Sequence, residues 1–186
     1  MRYNRNMDEK TQKIILHFIL DCPSSIKDRK QYLPVSKRAC SFRERGIKDS
    51  LLRTLLSQVK NLLPSKECYA KIESGHSVEE EQERMEKENT LADPRHEYII
   101  LRDHSSMTET EAVFYYIRNA FAHGAFIVED IHGMERLYSL ESEKTGKLNA
   151  KMLLKESTLL KLFELSQMTP EKLKQLQRKR RIPAFQ

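Results

Sequence analysis

Glycine and proline are scarce in this chain, five and six in 186 residues, and that scarcity limits the folds open to it. An all-β protein needs turn residues about every 8 to 12 positions, so the composition favours helices. A hydrophobic content of 39% is enough for one core, and no self-similarity suggests stacked repeats.

The longest apolar run, Ile14 to Leu20, spans seven residues and is interrupted by His17, which fits neither a membrane span nor a signal-peptide core. The expectation is a cytoplasmic protein with no membrane partner. Cys22, Cys40 and Cys68 are odd in number and contain no C-x-x-C pair, so they read as reduced thiols rather than a disulfide framework or zinc site. No metal and no cofactor is expected.

The net charge of +6 is unevenly spread: +8 over residues 1–63, −5 over 64–98, −2 over 99–168 and +5 over 169–186. Two basic ends around a weakly acidic middle suit a polyanion, because each neutralised phosphate releases counterions. Solvated helix faces explain the first segment equally well. The tail is more suggestive, since Arg178, Lys179, Arg180 and Arg181 are consecutive and become candidate RNA contacts.

Ile14, Ile15, Phe18 and Ile19 recur at helical spacing behind Asp8 and Glu9, giving a first helix that ends near Pro23. Ser36 to Arg45 reads as a short helix closed by Gly46. Asp49 then opens a leucine stripe, Leu51, Leu52, Leu55, Leu56, Val59, Leu62 and Leu63, stopped by Pro64. Ser77 to Glu80 is a capping box ahead of a polar run to Glu88, an exposed helix or insertion without chemistry of its own. Tyr98 to Leu101 is too short to classify.

Thr108 to Glu111 is a second capping box, and a helix should run from about 109 to 123 with Gly124 as its C-terminal cap. Residues 125–141 then read as a β-hairpin around Gly133, and Thr145-Gly146-Lys147 as a turn. Lys151 to Gln167 reads as a Leu-rich helix, and Thr169-Pro170 starts the last one. The organisation expected is one domain over 8–168, with 64–98 an acidic insertion, followed by a basic helix and tail over 169–186.

On the 109–123 helix, Tyr115, Asn119 and His123 fall at i, i+4 and i+8 and so line one stripe. Arg118 lies roughly 140° from His123 around an ideal helix, so a long side chain must curl round, or a second copy must complete the site. Polar groups in an aromatic, apolar helix must be paired or face a cleft, since burying one unsatisfied costs about 1 to 3 kcal/mol. An Arg-x4-His spacing is expected by chance about 0.5 times in this composition, and about 0.02 times with Asn directly after the Arg. The bland alternative is that Arg118 and Asn119 bridge neighbouring helices while His123 satisfies a helix end. His17 reads as a satisfied core residue, and His76, His96, His104 and His132 as loop or terminal residues without ligand spacing.

The segment Tyr116 to Gly124, with Arg118, Asn119 and His123 in place, resembles the signature of the HEPN superfamily, whose Arg-x4-6-His motif closes a core helix. The resemblance implies an all-α helical bundle with the hairpin as an insertion after the motif helix. It also implies a homodimer through that helix, in bacterial defence, toxin–antitoxin systems or RNA processing, and a metal-independent endoribonuclease. Imidazole, with an ordinary pKa near 6.5, suits proton transfer with a ribose 2′-OH or a leaving 5′-oxygen. Arg118 would stabilise charge on the pentacoordinate phosphate, Asn119 would orient phosphate or imidazole, and Tyr115 is a candidate RNA contact beside them, suited to packing rather than catalysis. Cleavage would leave a 2′,3′-cyclic phosphate. HEPN members paired with nucleotidyltransferase antitoxins carry a Tyr two residues after the His, where this chain has Ala125, which puts control through that residue in doubt. A regulator or antitoxin partner stays open. The competing readings are a non-catalytic HEPN module that binds RNA, a nucleotide or a partner through the same cleft, and a DNA-binding regulator resting on the basic tail alone.

Overall fold

Asp8 accepts a hydrogen bond from the Thr11 backbone N–H at 2.8 Å and opens α1 (Glu9–Leu20), whose buried side includes Ile14, Ile15 and Phe18. The computed structural model describes residues 8–23, 41–73, 75–88, 96–130 and 135–181, with backbone alone for Arg180 and Arg181. The leucine stripe forms α2 (Asp49–Lys60), with Leu51, Leu52, Leu55 and Val59 buried. Of the expected short helix at 36–45, residues 36–40 lie outside the described residues. Residues 42–46 form turns that end on Gly46 at φ +80, a left-handed conformation open to glycine.

Five strands follow: β1 (Tyr69–Ile72), β2 (Tyr98–Arg102), β3 (Phe126–Glu129), β4 (Leu137–Lys144) and β5 (Lys147–Lys155). They form one mixed sheet in the order β1-β2-β5-β4-β3, parallel between β1 and β2 and antiparallel elsewhere. Helix α3 (Val78–Lys87) is the crossover between the parallel pair, and α4 (Glu109–Ala122) joins β2 to β3. Helices α5 (Glu156–Ser166) and α6 (Pro170–Arg181) close the chain, with Pro170 at the first helical position as expected. In β2, Tyr98, Ile99, Ile100 and Leu101 are all buried, so both faces of this strand are covered. Helix α3 packs on one face through Val78 and Met85, and α4 on the other, where α1 and α2 flank it and α5 packs against both of these. Cys22 and Cys68 are buried free thiols.

The chain is therefore a mixed α/β protein, and the all-α bundle is corrected. Scarce glycine and proline exclude a meander of hairpins, but they do not exclude strands joined by helices. Helices make the links from β1 to β2 and from β2 to β3. One two-residue turn suffices for β4–β5, with Thr145 and Gly146 both at positive φ. The expected helix over Lys151 to Gln167 differs most from the structure. Its first five residues belong to β5, where Ala150, Met152 and Leu154 are buried with a period of two against β2 and β4. The sheet overrides a helical pattern that no Gly or Pro interrupts at the Lys155/Glu156 junction. Residues 125–141 do contain an antiparallel pair, β3 and β4, which is the edge of the larger sheet. Its expected Gly133 turn lies outside the described residues. Within 64–98, β1 and α3 build sheet and cover, and the glutamates Glu79, Glu80, Glu83, Glu86 and Glu88 face solvent.

A two-residue turn with φ +53 at Thr145 and +74 at Gly146 has the type I′ conformation, which a β-branched residue enters at a cost. Thr145→Asn should raise stability by about 0.5 to 1 kcal/mol, measured as a shift in thermal midpoint, because Asn tolerates the left-handed region. An unchanged or lower midpoint would show that the turn is unstrained.

His17 is the satisfied core residue expected. The Ser166 hydroxyl donates to the Phe163 carbonyl at 2.7 Å, so it accepts from His17 Nε2–H at 2.8 Å and fixes the neutral tautomer. Burial lowers the His17 pKa from 6.5 to about 4. The unfolded chain thus binds more protons between these values. The stability that His17 contributes is complete above pH 6.5 and is lost as pH falls towards 4, on the order of 2 kcal/mol. Denaturant titrations at pH 7 and pH 4.5 should show this loss in the native protein and a smaller one in His17→Gln, which keeps an N–H donor without the titration.

Candidate functional site

Three elements meet around one cavity of about 730 Å³: the end of β2 with the loop that follows it, the outer side of α4, and the tip of the β4–β5 hairpin. Local sequence explains how each is placed. Thr108 Oγ1 accepts from the Glu111 N–H at 3.3 Å while the Glu111 carboxylate accepts from the Thr108 N–H at 2.9 Å, so the loop after β2 turns directly into α4. At the other end the Ala125 N–H reaches the Ala120 carbonyl at 2.9 Å and Gly124 sits at φ +66, which stops the helix at His123. The aromatic faces of α4 hold it rigidly. Phe114 packs on Phe42 with ring centroids 5.2 Å apart, and Phe121 on Phe18 at 5.7 Å and Phe126 at 5.2 Å.

Tyr115, Arg118, Asn119 and His123 all line this cavity. The angular gap between Arg118 and the stripe is closed by the length of the side chain, for Arg118 Nη1 donates to Asn119 Oδ1 at 3.1 Å. Arginine only donates, so the Asn119 oxygen is the acceptor and its NH₂ group is the end available to a ligand oxygen. His123 occupies the C-cap of α4 and is exposed, its backbone N–H held by the Asn119 carbonyl at 3.0 Å. Capping by its backbone alone leaves the imidazole to the cavity.

The cavity also contains residues that no pattern in the sequence singles out: Arg102 at the end of β2, Asp103 and His104 just after it, and Lys144 and Asn149 near the hairpin tip. Arg102, Arg118 and Lys144 set three fixed positive charges against Asp103 and Glu143, and Asp103 is itself paired with Lys71 at 3.0 Å. A pocket of this sign favours an anion. The one available signal for His104 was its place between an apolar run and a capping box, since loops at strand ends often carry chemistry. Its Nδ1 lies 3.4 Å from the Ser106 backbone N–H, and its ring meets those of Tyr115 and Tyr116 at 5.5 and 6.4 Å.

The basic tail is elsewhere. Arg178 and Lys179 are exposed on α6, which packs against α2, and neither lines the cavity. Arg180 and Arg181 belong to the same helix, but their side chains lie outside the described residues. No family model, curated protein or solved structure matches the chain. Among the described residues, no group of three or more His, Cys, Asp or Glu is arranged to hold a metal ion, and no helix is long and apolar enough to cross a membrane.

Proposed function

We propose that the cavity binds RNA and cleaves it by metal-independent phosphoryl transfer. The observation that carries this reading is the convergence of Arg118, Asn119 and His123 on one cation-lined cavity. Arg118 and the Asn119 NH₂ group bind the non-bridging phosphate oxygens and stabilise the charge that develops on them. His123 takes the 2′-OH proton as the 2′-oxygen attacks phosphorus, and returns it to the 5′-oxygen as the P–O5′ bond breaks. The products are a 2′,3′-cyclic phosphate and a 5′-hydroxyl, so DNA, which lacks the 2′-OH, is not cut. One chain supplies this whole set, and the reading does not require a second copy to bring the residues together. A defence or RNA-processing role, with a regulator that restrains the activity, is compatible with this chemistry.

Labelled RNA and the matching DNA, incubated with purified protein in excess EDTA, test the reading. Cleavage of RNA alone is expected. Binding without cleavage would turn the weight to a nucleotide- or RNA-binding module in the same cavity.

The tail contributes affinity without chemistry in this account. Removing it after Met168 would strip the buried Leu173 from the core, so neutralisation is the cleaner variant. Arg178→Ala with Lys179→Ala should weaken RNA binding severalfold and make its salt dependence shallower, by about one unit of slope for each phosphate that is no longer neutralised. Unchanged affinity and slope would remove the tail from the interface.

A further inference from the structure

We propose that the end of the cavity formed by His104 and Tyr115 is a subsite for the nucleobase next to the phosphate held by Arg118, Asn119 and His123. This rests on the phosphate reading of that other end. Tyr115 lies four residues, just over one helical turn, before Asn119, about 6 Å along the axis, the order of distance that separates a phosphate from the base of its own nucleotide. The Tyr115 ring is half-buried and fixed by two neighbours, His104 at 70° and Tyr116 at 62°. Both meet it edge-on, and neither is stacked parallel on its face. A fixed aromatic ring with no parallel partner among the described residues, beside a cationic pocket, is the arrangement on which single-stranded nucleic acids stack their bases.

His104 adds a directional group. A backbone N–H can only donate, so the Nδ1 atom that faces the Ser106 N–H at 3.4 Å presents its lone pair, with the Ser106 hydroxyl 3.3 Å away. The neutral ring then carries its hydrogen on Nε2. His104 is thereby a hydrogen-bond donor in the cavity, suited to a carbonyl or ring-nitrogen acceptor on a base edge. The Tyr116 hydroxyl is tied back to the Arg102 carbonyl at 3.3 Å, which holds the loop carrying His104 against α4. Fixed in this way, His104 is a specificity residue rather than the proton-transfer group.

Titration of the full chain with uridine 3′-monophosphate, adenosine 3′-monophosphate and inorganic phosphate tests the proposal without relying on cleavage. At least one nucleotide should bind roughly 10-fold or more tightly than phosphate. Tyr115→Leu and His104→Ala should each weaken that nucleotide roughly 5- to 100-fold while leaving phosphate affinity within about 2-fold. His104→Gln, which restores an N–H donor, should recover most of the affinity, whereas Arg118→Ala should weaken nucleotide and phosphate together. Equal affinity for nucleotide and phosphate in the native protein overturns the subsite, as does equal weakening of both by Tyr115→Leu and His104→Ala, or no binding of either probe. Failure of the cleavage reading is recognised separately: nucleotides then bind with this pattern and RNA stays intact.

Discussion

His123→Ala should lower the rate of RNA cleavage by about 100- to 10,000-fold, the range by which a positioned proton-transfer group accelerates a reaction. Folding should be almost unaffected, because His123 is exposed and caps α4 with its backbone, which alanine retains. Added imidazole should restore part of the activity to this variant, since the missing group acts by chemistry rather than by support. Arg118→Ala should lose about 100- to 1,000-fold, and Arg118→Lys should recover only part of it, because an ammonium keeps the charge but not the forked geometry. Single-turnover rates with midpoints of thermal unfolding decide the matter. Activity close to the native level in either alanine variant would separate the motif from catalysis. A mixture of inactive His123→Ala and Arg118→Ala proteins should stay inactive, whereas recovery on mixing would mean that each site draws residues from two chains.

The second large effect belongs to a motif residue with a different task. Phe121 lies two positions before His123, is buried, and joins three elements: Phe18 of α1, Phe126 of β3 and Tyr138 of β4, the last with ring centroids 6.5 Å apart. Phe121→Ala opens a cavity at the point where helix, sheet and edge strand meet, and should cost about 3 to 5 kcal/mol. Phe121→Leu, which keeps much of the volume, should cost less than half of that. Denaturant unfolding measures both. Activity lost in Phe121→Ala should follow the unfolded fraction, in contrast with His123→Ala, where activity is lost from a folded protein. A cost below about 1 kcal/mol would show that the aromatic cluster does not anchor the end of α4.

The site residues were legible because helix α4 announces itself. Its capping box, its terminal Gly124 and its stripe of Tyr115, Asn119 and His123 are local signals, and local signals survive folding. What completes the cavity was not legible. Arg102 and His104 are brought to α4 by the pairing of β2 with β1 and β5, and Lys144 and Asn149 by the β4–β5 hairpin, and these pairings join residues far apart in sequence. The sheet was hidden for a related reason. β2 is buried on both faces and so lacks alternation, while β5 runs without a break into α5, so its leucines merge with those of the helix. The resemblance on Tyr116 to Gly124 carried an all-α scaffold with it, and the sheet shows that nine residues sharing a motif do not determine the fold around it.

The most direct test is the chemistry of the cut ends. An RNA oligonucleotide containing a single 2′-deoxynucleotide at an established cleavage position, compared with its all-ribose counterpart by mass spectrometry in EDTA, isolates the attacking group. The expected result is 2′,3′-cyclic phosphate and 5′-hydroxyl ends at ribose positions, no cut after the deoxynucleotide, and no products with His123→Ala. Cleavage after the deoxynucleotide, or 5′-phosphate ends, would contradict the proposed chemistry, because attack would then come from water and not from the ribose.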